Sequence, residues 1–375
     1  MFEMQSDQLI SYIAPAAPAT RRPGDGSESF MRPEIGFTPR WYHQNLNINF
    51  DKKWHTNPAY RRETIIKMRE ELRRRFPGTK IGCINEPDTP LDLLTGTYGS
   101  TSIAAIYGIP IRYAKDNWPN CAHNYLTDAE VAALKPPNLD ENKHFQDLMV
   151  QVDWIAENEG IVTGYINWQG VLNNAQRLRG QDLFLDMIMN PDLTNHLFDC
   201  VTTTMIEAAK RLHRRQKETG FEVNFFTMSN CLVNMVSAEH YSEILLPCDQ
   251  RIAQAFDLVG VHNCAWNADP YIEAYAKIPN NKYIDMGQES DLSEAKKRIP
   301  LARRAIMYTP MDIAKKSLAR IRDDMEKIAE HYGPCDIVAA DIEIGTPDQR
   351  ILDFIAICEE ISRMKENESS TRMNA

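Results

Sequence analysis

Short apolar runs alternate along this chain with segments of helical periodicity. Several runs are apolar throughout, which is typical of parallel strands that are buried on both faces. The seven clearest predicted strands are residues 81–85, 161–167, 223–228, 258–262, 283–286, 305–308 and 337–342. A weaker eighth strand is predicted near residues 109–113.

The segments between the runs carry apolar residues at steps of three and four. One such stripe contains Ala314, Leu318, Ile321, Met325 and Ile328, and that spacing places its members on one helix face. Similar stripes occur near residues 65–76 and 351–361. Strands that alternate with helices, joined by connections long enough to cross over, indicate a parallel sheet.

Eight parallel strands would close into a barrel. The predicted fold class is therefore α/β, with a single (β/α)8 TIM barrel and an extended N-terminal arm. An open doubly wound sheet is the alternative. No G-x-G-x-x-G follows the first strand, and Gly96-Thr97-Tyr98-Gly99 does not fit that spacing, which counts against a dinucleotide-binding sheet.

Composition divides the chain into three parts. Residues 14–29 are rich in Ala, Pro, Gly and Ser, so they cannot bury enough apolar surface to order themselves. We therefore predict a flexible arm over residues 1–29, one barrel domain over 30–364 and a polar tail over 365–375.

The charge balance, the lack of long apolar stretches and the cysteine content restrict the classes of partner and the compartment that we predict. The formal net charge is −10, so there is no basic excess with which to coat nucleic acid. No apolar stretch is long enough for a membrane span, and the acidic start lacks a signal core. Eight cysteines without a C-x-x-C predict reduced thiols in the cytoplasm.

The most suggestive local feature is His262-Asn263-Cys264, at the end of the predicted strand 258–262. Residues two apart in a strand point to the same side, here at the carboxyl end of a barrel strand, where the active sites of this fold lie. Zn²⁺ accepts imidazole and thiolate ligands. The spacing also fits a core histidine beside an inert buried cysteine. Cys121-Ala122-His123, in a loop rich in Pro and Asn, is the weaker candidate.

Acidic and polar residues follow other predicted strands. Asp341 and Glu343 stand two apart after the last strand, and they are candidates either for a ligand or acid–base role or for favourable charges at a helix start. A further set of strand-end residues would line the same barrel mouth if the barrel forms. These residues are Asn167, Trp168, Asn230, Asp285 and Tyr308.

Four stretches resemble a known family in their order and spacing. They are SAEHYSEILLPCDQRI (237–252), the H-x-C at 262–264, YIDMGQESDLSEAKKRI (283–299) and ADIEIGTPDQRI (340–351), with LTDAEVAALKPP (126–137) similar to a family linker. Together they resemble the uroporphyrinogen decarboxylase superfamily, particularly its corrinoid-dependent methyltransferase branch. The resemblance covers the C-terminal two-thirds of the chain.

This resemblance implies a (β/α)8 barrel and a zinc ion held by the H-x-C pair and a later cysteine. His262 and Cys264 match the first two ligands, but the position of the later cysteine falls on Ala340. Cys335 lies five residues too early. We predict Asp341 as the replacement metal ligand, with Asp285 and Glu343 as catalytic residues, while a chain that binds no zinc stays an alternative.

The predicted activity is methyl transfer between a small methylated compound, a methoxy compound among the candidates, and cobalamin. The resemblance implies that a partner corrinoid-binding protein supplies methylcobalamin and that zinc acts as a Lewis acid. The substrate-binding candidates are Asn167, Trp168, Asn230 and Tyr308. Related barrels often pair, so a homodimer is also expected.

Two other functions stay open. One is a metal-independent decarboxylase of the uroporphyrinogen decarboxylase type, although PRWYHQNLN (39–47) offers only Arg40 where that branch carries an arginine-rich motif. The other is a barrel that binds a corrinoid protein or a small molecule without turnover.

Overall fold

A parallel sheet forms the centre of the molecule. The computed structural model describes residues 24, 26, 28–79, 81 and 91–373. The strands are β1 (Met31–Phe37), β2 (Ile111–Arg112), β3 (Asn120–Cys121), β4 (Phe225–Ser229), β5 (Leu258–His262), β6 (Asn281–Gly287), β7 (Arg303–Met307) and β8 (Cys335–Ile342). The sheet order is β1-β8-β7-β6-β5-β4, all parallel, and β2 pairs with β3 in a separate antiparallel pair.

Helices surround this sheet. They are α1 (Pro39–Leu46), α2 (Lys52–Thr56), α3 (Pro58–Arg75), α4 (Ser102–Ile106), α5 (Asp128–Ala132), α6 (Lys143–Glu159), α7 (Val171–Arg179), α8 (Asp182–Met189), α9 (Pro191–Glu218), α10 (Ala238–His240), α11 (Leu246–Ala255), α12 (Ile272–Tyr275), α13 (Leu292–Arg298), α14 (Pro310–Lys315), α15 (Leu318–His331) and α16 (Asp348–Met373). A 3-10 turn covers Val233–Met235, and a π-helical turn covers Tyr241–Leu245.

The α/β class is confirmed, but in the described part of the chain the sheet has six strands and does not close. Five predicted strands match β4 to β8 with small shifts at their ends. Residues 81–85 lie almost entirely outside the described residues. The prediction near residues 109–113 is wrong for the central sheet, because that segment supplies only the two-residue β2.

Residues 161–167 are also not a strand, although most of them are buried. Side chains, rather than a neighbouring strand, bind the backbone of this segment. The amide of Gln216 donates to the carbonyls of Val162 and Gly164, and the Tyr165 N–H donates to Thr95. Gly164 has a φ of 96°, which a β-strand does not accommodate.

An unpredicted strand, β1, lies beside β8 at the edge of the sheet. Its sequence, MRPEIGF, contains a proline and two charged residues, so it lacks an apolar run. Arg32 is nevertheless buried, because its Nε and Nη2 donate to the two oxygens of Asp336 at 2.9 Å each. Arg303 on β7 also donates to Asp336, which is fully buried.

The predicted helix stripes face the core except at Ala314 and Leu318, which are exposed. Ile321, Met325 and Ile328 of α15 are buried, whereas Ala314 belongs to α14, since Ser317 caps a new helix start. The last helix, α16, runs to Met373 and so includes most of the segment predicted as a polar tail. Its polar residues bind the start of β1, where Glu366 accepts from the Phe30 N–H at 2.8 Å.

The described residues contain no candidate for a membrane-spanning helix. No helix there combines the length and the apolar character that crossing a bilayer requires.

Candidate metal centre

The register between β4 and β5 brings two cysteines together. Ser229 is the register partner of His262, and each residue is followed two positions later by a cysteine, Cys231 and Cys264 respectively. Both cysteines therefore leave the carboxyl ends of adjacent strands at the same level. The two Sγ atoms and a ring nitrogen of His262 all lie within 4.8 Å of one another.

Asp285 fixes the orientation of the His262 ring. It lies on β6 as the register partner of His262, and its carboxylate oxygens are 2.7 and 2.8 Å from Nδ1. A carboxylate can only accept there, so Nδ1 carries the proton and Nε2 keeps its lone pair for a metal. This carboxylate–histidine arrangement is common around zinc.

The same carboxylate also holds the backbone of Cys264. The Cys264 N–H donates to Asp285 at 3.2 Å, and Tyr283 donates its hydroxyl proton at 3.1 Å. Cys264 has a φ of 62°, a left-handed conformation that is uncommon for a residue with a side chain. Asp285 is fully buried and positions His262 and the Cys264 backbone, and its predicted acid–base role stays a prediction.

Two further hydrogen bonds connect the loops that carry the cysteines. The Asn230 N–H donates to the His262 carbonyl at 2.8 Å, and the indole of Trp266 donates to the Cys231 carbonyl at 2.9 Å. Asn230 also donates its side-chain amide to the buried Asp249 at 2.9 Å. Hydrogen bonds to the backbone of both loops therefore fix the distances between the side chains of Cys231, His262 and Cys264.

The two thiols also interact with each other. A hydrogen bond with Cys231, together with burial, raises the pKa of Cys264 to about 12, although His262 acts in the opposite direction. Without a metal, Cys264 is therefore a neutral thiol at physiological pH. A bound metal would replace its proton, because thiolate is the form that coordinates.

The donor set fits a zinc ion. Two thiolates and a neutral imidazole balance the charge of Zn²⁺, and sulfur and nitrogen are its usual protein ligands. Bonds of about 2.3 Å in a tetrahedral site hold two sulfurs roughly 3.8 Å apart, which is compatible with the observed limit of 4.8 Å. Three protein ligands leave one position open, as in catalytic rather than structural zinc sites.

The predicted ligand Asp341 is not part of this group. It is exposed at the end of β8, and β8 lies three strands from β5 in the sheet order. Three strand spacings amount to about 14 Å, too far for a shared ion. The exposed Glu343 is also outside the group, and it accepts a long hydrogen bond of 3.4 Å from Thr38.

Two predicted substrate-binding residues point away from the strand ends. Trp168 is fully buried, so it packs in the core. Tyr308 is 1% exposed. It donates to Asp324 on α15 at 2.8 Å and stacks on Phe354 of α16, so it faces the helix layer. Their substrate-binding roles stay predictions.

The other two predicted substrate-binding residues, Asn167 and Asn230, are also buried. The side-chain oxygen of Asn167 accepts from the Gln169 N–H at 3.1 Å, and Asn230 is committed to Asp249. Both side chains shape the loops near the centre.

Cys231 is the ligand that the sequence interpretation missed. The pattern did contain a signal, since Cys231 follows a predicted strand just as Cys264 does. That signal becomes useful only with the register, which shows that Ser229 and His262 are partners. Cys231 therefore brings a second thiol beside His262 and Cys264 from the neighbouring strand β4.

Comparison with known proteins shows the fold. No family model matches the chain, and no curated protein matches it. Among solved structures, a methyltransferase from Methanosarcina mazei aligns with a TM-score of 0.62 and 15% identity, over 91% of this chain and 98% of that chain. The two proteins share a fold.

A second structure aligns over less of the chain. It is a B12-independent methionine synthase from Shewanella sp. W3-18-1 in complex with selenomethionine, with a TM-score of 0.38 and 11% identity. The alignment covers 60% of this chain and 68% of that chain.

The carboxylate behind His262 provides a direct test of the centre. We expect Asp285→Asn to weaken zinc binding about 10- to 100-fold, because the amide cannot accept in place of both carboxylate oxygens. Competition with a chromophoric chelator measures this change. Asp324→Asn is the matched control, since Asp324 also accepts from a tyrosine hydroxyl but lies on α15. Equal zinc affinity in the two variants would contradict the assignment.

Proposed function

We propose that this protein transfers a methyl group with the help of a zinc ion bound by Cys231, His262 and Cys264. The observation that carries the proposal is the cluster of two thiols and an imidazole within 4.8 Å at the ends of β4 and β5. The fold shared with a methyltransferase and the family resemblance of residues 237–351 support the same reaction class.

The chemistry of the site favours a reaction at a soft, methyl-bearing atom. Zinc bound there would supply Lewis acidity to the atom that loses or receives the methyl group. His262 keeps its Nε2 lone pair toward the centre because Asp285 binds the proton on Nδ1. The hydrogen bond from Trp266 to the Cys231 carbonyl holds the second thiol beside the first.

The proposed reaction needs a partner protein and a methylated substrate. We propose that a small methylated compound exchanges its methyl group with cobalamin carried by a corrinoid-binding protein. The reaction would take place in the cytoplasm, where the free cysteines of the described residues would stay reduced. A homodimer is part of the same proposal.

We also propose that the sheet is the main part of a (β/α)8 barrel. In such a barrel, residues 161–167 would lie beside β4 as an irregular segment of the barrel wall. The hydroxyl of Tyr165 supports this position, because it accepts from the Thr227 N–H of β4 at 3.0 Å.

Metal analysis together with a cobalamin assay tests the proposed function. Purified protein should contain about one zinc ion per chain, as a site with three ligands predicts. With a methylated thiol, amine or methoxy donor, it should convert cob(I)alamin to methylcobalamin, which absorbance follows directly. Stoichiometric zinc with no methyl transfer to or from cobalamin would contradict the reaction, and protein that cannot bind zinc would contradict the site.

A further inference from the structure

Arg177 lies in the last turn of α7, a helix that contacts the loop after β4. One turn earlier on the same helix, the side-chain oxygen of Asn173 accepts from the Leu232 N–H at 3.3 Å, so α7 packs on the loop that contains Cys231. Nη1 of Arg177 donates to the Asn173 carbonyl at 3.3 Å, and Nη2 donates to the Ser100 hydroxyl at 2.9 Å. The guanidinium is close enough to the thiols of Cys121 and Cys231 to interact with them electrostatically.

This guanidinium has no carboxylate counter-ion among the described residues. Burial lowers the pKa of Arg177, and attraction to the thiols opposes that shift only in part. Arg179, two residues away, shows the usual arrangement, since it binds the carboxylates of both Asp128 and Asp186. A partly buried cation without a counter-ion is costly to maintain, which makes Arg177 a candidate for binding an anion.

Arg177 also has unused hydrogen-bonding capacity. Its hydrogen bonds to Asn173 and Ser100 use two N–H groups, whereas a guanidinium carries five. The side chain as a whole is only partly buried. A planar guanidinium binds the two oxygens of a carboxylate through paired hydrogen bonds, which gives both affinity and orientation.

We propose that Arg177 binds a carboxylate on the methylated substrate, so that the substrate of this protein is a small anion. The inference rests on the proposed function, because it places the methyl-bearing atom at the cluster and the carboxylate at Arg177, with Cys231 adjacent to both. Arg177 would set specificity by holding one end of the substrate. An acidic chain with a net charge of −10 disfavours anionic ligands in general, so recognition of one needs a local cation such as this.

Equilibrium binding of two matched probes tests the assignment. The probes are (methylthio)acetate, which is anionic, and 2-(methylthio)ethanol, which is neutral and of similar size. Isothermal titration calorimetry should show that the wild-type protein prefers the anion. In Arg177→Gln, affinity for the anion should fall about 10- to 100-fold, the range of a hydrogen-bonded charge pair, while affinity for the neutral probe stays unchanged. Arg177→Lys keeps the charge but loses the paired geometry, so its loss should be smaller.

The control is Arg214→Gln, which removes the same charge from an exposed position on α9 and should leave both affinities unchanged. A wild-type protein that does not prefer the anionic probe overturns the proposal, as does an Arg177→Gln variant that keeps the preference. Each titration is done with metal-free and zinc-loaded protein, and zinc content is measured separately. An anion preference without zinc binding or methyl transfer would therefore refute the proposed function and leave the role of Arg177 standing.

Discussion

Replacing Cys231 or Cys264 with alanine should release zinc and abolish methyl transfer while the fold stays intact. Each variant removes one of two thiolates from a site with three protein ligands. We expect zinc affinity to fall by on the order of 100-fold or more, beyond the effect of changing an outer partner such as Asp285. Zinc analysis, the cobalamin assay and thermal unfolding of the same samples measure the three quantities. The fold should survive because a core of this size does not depend on one ion.

Cys358→Ala is the matched control for these two variants. Cys358 is fully buried on α16, and its loss should leave a small cavity that costs about 1 kcal/mol of unfolding free energy. Zinc content and turnover should not change. If Cys231→Ala kept its zinc and its activity, Cys231 would not be a metal ligand and the proposed site would be refuted.

Asp336→Ala should be among the most destabilising single substitutions in the chain. Asp336 is fully buried and accepts from both Arg32 and Arg303. Removing the carboxylate leaves the buried Arg303 without its counter-ion and leaves Arg32 with Glu34 alone, which costs about 3–5 kcal/mol of unfolding free energy. Urea unfolding followed by circular dichroism measures the loss. A change of less than about 1 kcal/mol would show that the arginines find other partners.

The same residue predicts how stability depends on pH. Burial alone raises the pKa of Asp336, but Arg32 and Arg303 outweigh burial, so the net pKa lies below its usual value. Because the pKa of Asp336 is lower in the folded protein than in the unfolded chain, its carboxylate stabilises the folded state at pH values above about 4, the pKa of the unfolded chain. This contribution disappears as the pH falls through the pKa that Asp336 has in the folded protein. The acid sensitivity should be reduced in Asp336→Ala. Glu360→Gln is the control, since its ion pair with Arg322 is largely exposed and should contribute little.

Most of the sheet could be predicted from the sequence because its strands are continuous apolar runs. β5 matches its predicted bounds, since LVGVH is apolar up to His262. β1 could not be found in this way, because Arg32 and Glu34 interrupt its apolar pattern. Their burial depends on Asp336, a residue 304 positions from Arg32, and no local pattern contains that information.

The candidate site was predictable in part for a similar reason. His262 and Cys264 lie on one strand, so their alternation is visible in the sequence. Cys231 and Asp285 come from neighbouring strands, and only the register shows that they converge. The role of Trp168 could not be decided from the sequence, because an aromatic residue after an apolar run fits a binding site and a buried core equally well.

The pairing of β1 with β8 has a consequence for how the protein forms during synthesis. Met31 and Cys335 are register partners, so β1 leaves the ribosome long before its neighbour exists. Until β8 follows, Arg32 has no Asp336 to bind, and the backbone groups of β1 that face β8 have no partner. Unpaired strand edges of this kind promote aggregation. Nascent chains stalled between β7 and β8 should therefore bind chaperones through residues 31–37, and release should coincide with the emergence of residues 335–342.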